Sequence, residues 1–190
     1  MTNPYNSKLM KTCQKITFKL TLALSQTTTT FSANGLEARI GVELGAVYVE
    51  EFISYVEHVS VKSSDAIYLH DISSGQVIAV CYTLSGSGYA ILDIEKNIIY
   101  EFSLETSNPY HGQKGVCYYA GPNNYFVEES RGEYVHTRDG TIRADAASIE
   151  RETSNFSDYR DSISNVPPLS VKIADIRYAR ENPSRGTIRK

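Results

Sequence analysis

Apolar residues recur with two different periods along this chain. Over residues 37–59 they fall mostly three or four positions apart, which is the spacing of one helical face. The predicted face contains Leu44, Val47, Tyr48, Phe52, Tyr55, Val56 and Val59. Gly41 and Gly45 are poor helix formers, but the period still predicts a helix in this part of the chain.

Four short apolar runs follow, and turn residues separate them. They occupy residues 66–72, 76–84, 88–94 and 97–104. Because such short connections leave no room for a crossover helix, we expect an antiparallel meander. The second run is apolar without alternation, which predicts that both of its faces are covered. In the fourth run, alternation places Tyr100 and Phe102 on one face and Glu101 on the other.

These patterns predict an α+β fold in which an N-terminal helix packs on an antiparallel β-meander, with polar, partly disordered ends. The residues expected in its core are Leu44, Phe52, Val80, Tyr82, Ile91, Leu92, Ile99 and Phe102. Past the meander we expect a hairpin whose turn is Gly121–Asn124, and a short helix over Ala144–Glu152. The predicted segments are a signal peptide and linker (1–36), the domain (37–137) and a polar linker or tail (138–190).

Charge is unevenly distributed, although the net charge is only −3. Residues 1–19 carry four lysines and no acid, and residues 172–190 carry six basic residues against two acidic ones. The body between these basic ends is therefore acidic, and it would repel phosphate groups. We expect no nucleic-acid partner, and we interpret the ends as solvated tails.

The first residues have the order of a secretory signal: a lysine-rich start, a short apolar centre at Leu20–Leu24 and small residues at Ser32-Ala33. Lys19 and Thr21 interrupt that centre. The sequence therefore leaves two localisations open, secreted or at the cell surface, and cytoplasmic with a soluble N-terminus. No other segment approaches the length of a membrane span.

Catalytic and metal-binding patterns are missing from the sequence. Cys13, Cys81 and Cys117 show no CxxC spacing, and the four histidines form no HxxxH or HxH pair. Cys117 lies in a strand-like run rather than at a helix start, so we expect an inert thiol instead of a nucleophile. We predict no enzymatic activity, no metal and no cofactor.

Four stretches carry a family resemblance. The strands "IYLHDI" (67–72), "GYAILDI" (88–94) and "IIYEFS" (98–103), and the later element "CYYAGPNNYFVE" (117–128), occur in a helix–meander order over residues 37–130. This region resembles the N-terminal pro-region of secreted bacterial papain-like cysteine peptidases, the streptopain-like group and related Gram-positive proteins. The resemblance covers the pro-region without the catalytic domain that follows it in such precursors.

The resemblance implies a non-catalytic domain that binds or inhibits a papain-like cysteine peptidase by steric occlusion, or a remnant of such a precursor. The alternative is a secreted or surface ligand-binding module unrelated to peptidases. Rigid aromatic residues beside a fixed turn form a surface suited to partner binding. The predicted partner-binding residues are Tyr118, Tyr119, Gly121, Pro122, Asn124 and Tyr125. We expect the folded body to bind, and a chain cut after residue 165 to bind equally well.

Overall fold

The computed structural model describes residues 33–143, 145–153 and 155–183 of the chain. The described residues from Ala38 onward belong to one compact unit. The predicted signal peptide lies outside the described residues, apart from the start of the first helix.

The described residues form one long helix, eight strands and then four short helical segments. The first helix is α1 (Ala33–Val56). The strands are β1 (Ser63–His70), β2 (Val77–Leu84), β3 (Tyr89–Asp93), β4 (Ile98–Ser103), β5 (Val116–Tyr119), β6 (Tyr125–Ser130), β7 (Glu133–His136) and β8 (Ile142–Arg143). The last segments are α2 (Ala146–Glu152), α3 (Asn155–Ser162), a 3₁₀ turn (Ile163–Asn165) and α4 (Leu169–Glu181).

All eight strands belong to one sheet in the order β4-β3-β2-β1-β5-β6-β7-β8. The predicted antiparallel meander is confirmed for β1 to β4. The sheet is nevertheless mixed, because β5 pairs with β1 in parallel, Leu69 opposite Cys117. Residues 104–115 carry the chain from the β4 edge back to β1, where β5 pairs on the side away from β2 and runs in the same direction as β1. The expectation of a wholly antiparallel sheet was therefore wrong at this pairing.

A buried asparagine fixes that crossover. Asn108 is 5% exposed and donates to the Thr83 hydroxyl at 2.7 Å. Its carbonyl oxygen accepts from the Tyr110 backbone N–H at 2.9 Å and from the Cys81 thiol at 3.3 Å. A buried polar side chain is tolerated only when its groups are bonded in this way.

Helix α1 buries a face that only partly overlaps the one its sequence predicts, where Tyr48, Phe52 and Tyr55 are partly buried against the core. Val49 and Ile53 are fully buried, whereas Leu44 is 47% exposed and Val47 48%. The buried face follows Gly45, where an added Cβ would lie 2.5 Å from the Tyr82 hydroxyl. Apolar residues surround this helix on more than one side, so periodicity alone could not select the face that the missing side chain of glycine brings close to the sheet.

The remaining predicted core residues divide into two groups. Val80, Tyr82, Ile91 and Leu92 are buried as expected, and Phe52, Ile99 and Phe102 are partly buried. Both faces of β2 are covered, since Ile78 to Tyr82 are all buried.

The segment predicted to be a polar linker or tail is part of the folded unit over its described residues. Leu169, Ile173 and Ile176 of α4 are at most 4% exposed and pack with Val49 and Ile53. Ile149 of α2 is fully buried in a second cluster. The predicted short helix begins at Ala146, two residues later than expected, because the Asp145 side chain caps it through the Ser148 N–H. The sequence did not predict these contacts because few apolar residues recur at helical spacing in this segment.

A β-bulge reorients the side chains of β4. Ile91 pairs with Glu101 and Leu92 with Ile99, so Tyr100 has no partner on β3. Tyr100 and Glu101 therefore face the same side of the sheet, while Phe102 faces the other. The prediction that Tyr100 and Phe102 share a face was wrong, because alternation fails where a residue is inserted.

The sheet is strongly curled around its inner face. The rings of Tyr100 on β4 and Tyr119 on β5 stack with centroids 5.5 Å apart. Four strand spacings separate these strands, which would place them about 19 Å apart in a flat sheet. The curl encloses a layer of tyrosines, whereas α1 and α4 cover the outer face of the meander.

Candidate functional site

The turn between β5 and β6 is locked by its own backbone. The Ala120 N–H donates to the Asn124 carbonyl at 3.0 Å, and the Asn124 N–H donates to the Gly121 carbonyl at 2.9 Å. Gly121 and Asn123 have φ angles of 107° and 65°, a conformation that glycine and asparagine tolerate best. A Cβ at Gly121 would also lie 3.1 Å from the Phe156 ring of α3. The turn sequence therefore suits its backbone.

Side chains from the neighbouring strand hold the turn from outside. One ring nitrogen of His136, Nε2, bonds to the Asn123 carbonyl at 2.9 Å, and the other, Nδ1, bonds to Asp139 at 2.9 Å. The Arg138 guanidinium donates to the Asn123 side chain at 3.3 Å. Hydrogen bonds from Thr141 and from His136 lower the pKa of Asp139 to about 2. Asp139 thus stays ionised and orients the imidazole toward the turn.

The structure brings the six predicted partner-binding residues together but buries most of them. Tyr119 and Tyr125 are fully buried, Tyr118 is 9% exposed and Gly121 is buried. Pro122 is exposed and Asn124 is half-buried. In this conformation a partner can touch Pro122, Asn123 and Asn124, whereas the tyrosines support the turn from beneath. Their role in binding stays a prediction.

Beneath the turn, Tyr125 links three strands through its hydroxyl. This hydroxyl lies 3.0 Å from the Tyr89 hydroxyl and donates to Glu101 Oε1 at 2.9 Å. The Arg138 guanidinium lies 4.9 Å from the centre of the Tyr125 ring and donates to Tyr89 at 3.4 Å. Burial raises the pKa of Glu101, and hydrogen bonding from Tyr125 partly opposes that rise. Glu101 reaches this cluster because the bulge turns it inward.

Tyr119 completes the layer with a buried hydroxyl. That oxygen has no hydrogen bond of normal geometry among the described residues, although it lowers the pKa of Glu101 nearby. Burial raises the pKa of the Tyr119 and Tyr125 hydroxyls well above the usual value, so both remain neutral. The layer is therefore a set of neutral hydroxyls around one carboxyl group.

A second buried cluster fastens α3 to the sheet. Asp93 is fully buried and accepts hydrogen bonds from the Tyr100 hydroxyl and, at 2.7 Å, from the Lys96 backbone. Arg160 donates to the Tyr100 hydroxyl at 2.9 Å and lies 3.5 Å from Asp93. Burial and the Asp93 carboxylate raise the pKa of Tyr100. This cluster holds α3, and with it Phe156, against the turn.

A surface cleft of about 520 Å³ lies beside this cluster. Charged side chains of both signs line it, with the carboxylates outnumbering the bases. They are Asp71, Glu95, Glu150, Asp161, Lys96 and Arg160. Arg160 is already bonded to Tyr100, and Lys96 donates to the Arg160 carbonyl. The cleft therefore does not present a surface of one charge sign to a ligand.

Both described thiols are free and buried. Burial raises the pKa of Cys117 to about 11 and that of Cys81 well above its ordinary value. A thiol of this kind is protonated at neutral pH, which disfavours nucleophilic attack. Within the described ranges, no group of three or more His, Cys, Asp or Glu side chains is placed to hold a metal ion. The helices among these residues are too short or too polar to cross a membrane.

Asn123, His136 and Arg138 are the site residues that sequence reasoning missed. Asn123 stands in the quoted turn motif, but nothing marked its positive φ. The two basic residues follow 13 and 15 positions later, and only the pairing of β6 with β7 brings them to the turn.

Comparison of the chain with protein-family models, with curated proteins and with solved structures finds no match in any of the three.

Proposed function

We propose that this protein is a non-catalytic binding domain that inhibits a papain-like cysteine peptidase by inserting the β5–β6 turn into the peptidase cleft. The observation that carries the proposal is that the turn is ordered in advance on both sides, by its own backbone and by His136 and Arg138. A loop already fixed in its bound shape loses little conformational entropy on binding. The part of the turn that a partner can reach is limited to Pro122, Asn123 and Asn124.

The resemblance of residues 37–130 to peptidase pro-regions supplies the class of partner. The helix–meander order on which that resemblance rests is also the order of elements in the fold. Inhibition would be steric and reversible, and a mixed disulfide with the peptidase is disfavoured because the thiols of the domain are buried and protonated. Secretion would bring the domain and such a peptidase into one compartment.

The test is inhibition of papain and of a streptopain-like peptidase, measured by hydrolysis of a fluorogenic peptide at increasing concentrations of this protein. The matched variants are the double substitution Pro122→Ala with Asn124→Ala, and Arg131→Ala in the β6–β7 turn. We expect competitive inhibition by the parent, at least tenfold weaker inhibition by the double variant and no change for Arg131→Ala.

Thermal melts must show that the double variant is folded. Undiminished inhibition by that folded variant would refute the role of the turn, and lack of inhibition by the parent would refute the proposed function. In the second case a surface ligand-binding module becomes the better hypothesis.

A further inference from the structure

Strand β4 lies at one edge of the sheet. A groove runs along this edge, on the side of β4 that faces away from β3. It has a volume of about 310 Å³, and we call it the β4 groove. Its apolar lining comes from three parts of the chain: α1, β4 and the start of α4. The lining residues are Phe52, Ile98, Ile99, Phe102, Pro167 and Leu169.

The backbone of β4 is already bonded at one end of the groove. The Leu169 N–H donates to the Asn97 carbonyl at 2.6 Å, and the Tyr159 hydroxyl donates to the Tyr100 carbonyl at 3.3 Å. The bulge at Tyr100 interrupts the edge at the same place. Such features protect an edge strand from unwanted pairing. These features protect the first half of β4, and its second half remains open to pairing.

In the second half of β4, the hydrogen-bond pattern of the sheet leaves the backbone groups of one residue pointing away from β3. The Leu84 N–H donates to the Gly88 carbonyl where β2 meets β3. Because bonded pairs alternate in an antiparallel ladder, the next bonds toward β4 fall at Glu101 and Ser103. Phe102 lies between them, so its N–H and C=O point away from β3. A strand added here would bond to Phe102.

The rim of the β4 groove is positively charged. Lys172 lines the groove, its ammonium lies 5.5 Å from the Phe52 ring, and no described residue forms an ion pair with it. Helix α4 begins beside it without an acidic residue in its first turn, so the positive end of the helix dipole is uncompensated there. Glu101 also lines the groove, but Tyr125 binds its carboxyl group on the inner face.

We propose that the β4 groove binds an extended peptide segment of a partner protein, in which an acidic residue stands two positions from an apolar one, so that both side chains face the groove. The peptide pairs with the outward backbone of Phe102, its apolar side chain enters the groove and its carboxylate approaches Lys172. This arrangement is strand addition to a sheet edge, with main-chain bonds for affinity and a side-chain pocket for specificity. The site is separate from the β5–β6 turn, and the proposal does not depend on the peptidase.

The test begins with selection of octapeptides from a random library displayed on phage, using the parent protein as bait. We expect enrichment of sequences with Asp or Glu two positions from Val, Ile, Leu or Phe. One enriched peptide is then synthesised with a fluorescent label, and its binding to variants is followed by fluorescence polarisation.

Two matched pairs of variants separate the contributions. Lys172→Glu should weaken binding at least tenfold, whereas Lys114→Glu, an equal charge change at an exposed loop position, should leave it within twofold. Phe102→Pro removes the outward N–H that Phe102→Ala retains, so the proline variant should bind more weakly than the alanine variant. Melting curves exclude unfolding, and Lys172→Gln serves if Lys172→Glu fails to fold.

Three results would overturn the proposal. The first is that no sequence is enriched over bare support. The second is that the enriched peptide binds Lys172→Glu and Phe102→Pro as tightly as the parent. The third is a dimer in sedimentation equilibrium that Phe102→Pro dissociates, since a second copy of the chain would then occupy the groove.

Discussion

The two faces of the meander are both covered by packed side chains, but the side chains differ in kind. On the outer face, aliphatic residues such as Val49, Ile53 and Ile173 fill the space between the sheet and helices α1 and α4. On the inner face, tyrosines such as Tyr119 and Tyr125 fill the curl of the sheet. The outer face is held mainly by apolar packing, and among its buried side chains Tyr82 adds a hydrogen bond, from its hydroxyl to the Val42 carbonyl at 2.8 Å. The inner face also depends on hydroxyl groups that need partners, which makes it directional and lets it fix a turn.

The largest loss of stability should come from a substitution on the outer face, in α4, which lies in the segment that the sequence predicts to be a polar tail. Ile173→Ala should lower the free energy of unfolding by about 2–4 kcal/mol, because Ile173 is 1% exposed and its removal leaves a cavity. Val171→Ala, at a 48% exposed position of the same helix, should stay within about 0.5 kcal/mol of the parent. Urea denaturation measures both, and equal stabilities would show that α4 is not part of the core.

On the inner face a single hydroxyl should matter. Tyr100→Phe removes the donor to fully buried Asp93 and the acceptor for Arg160, so we expect a loss of about 1–3 kcal/mol without any cavity. Tyr178→Phe is the control, since Tyr178 is 56% exposed. If Tyr100→Phe is as stable as the parent, the inner face is held mainly by packing, like the outer one.

Substitution of Glu101, the carboxyl group within the tyrosine layer, should raise the stability of the protein rather than lower it. Burial raises the folded-state pKa of Glu101, so its ionised form costs stability at neutral pH and the cost disappears as the pH falls through that raised value. Glu101→Gln should therefore stabilise the protein at pH 7, by about 0.5 kcal/mol, and lose this advantage near pH 4. Thermal melts across that range, with exposed Glu129→Gln as control, measure it. A variant that is less stable than the parent at pH 7 would contradict the account.

The smallest effect should come from the surface contact between α1 and α4. Arg177 binds Glu51 with both ends of its guanidinium, at 2.7 and 3.1 Å, and lowers the pKa of Glu51. Because Arg177 is 54% exposed, Arg177→Ala should cost only about 0.2–1 kcal/mol. This contribution should weaken in 1 M salt and disappear as the pH falls through the lowered pKa of Glu51. A loss above that of Tyr100→Phe would mean that charge, rather than shape, holds the outer face.

The sequence predicted the elements of the meander correctly because turn residues and apolar runs are local signals. It failed wherever a single residue changed the geometry. One extra residue at Tyr100 moved Glu101 to the inner face, and the missing side chain of Gly45 selected the buried face of α1. Neither event changes the hydrophobic period of its segment, so neither could be predicted from that period.

The candidate site was predicted in part for a similar reason. The turn and its tyrosines are contiguous in sequence, so their proximity could be predicted, but their burial depends on the curl that brings Tyr100 onto Tyr119. The suggestion that a chain cut after residue 165 keeps its binding also needs revision. Such a cut removes α4 with its buried side chains, so the loss of binding would report unfolding.

The most direct test of the proposed function is hydrogen–deuterium exchange with and without a streptopain-like peptidase whose active-site cysteine is changed to serine. That change leaves the cleft open while preventing digestion. We predict that added peptidase slows exchange at Asn123 and Asn124 in the β5–β6 turn. Exchange at Gly132, in the turn at the opposite end of β6, should stay unchanged. Unaltered exchange at Asn123 and Asn124 with saturating peptidase would contradict the account.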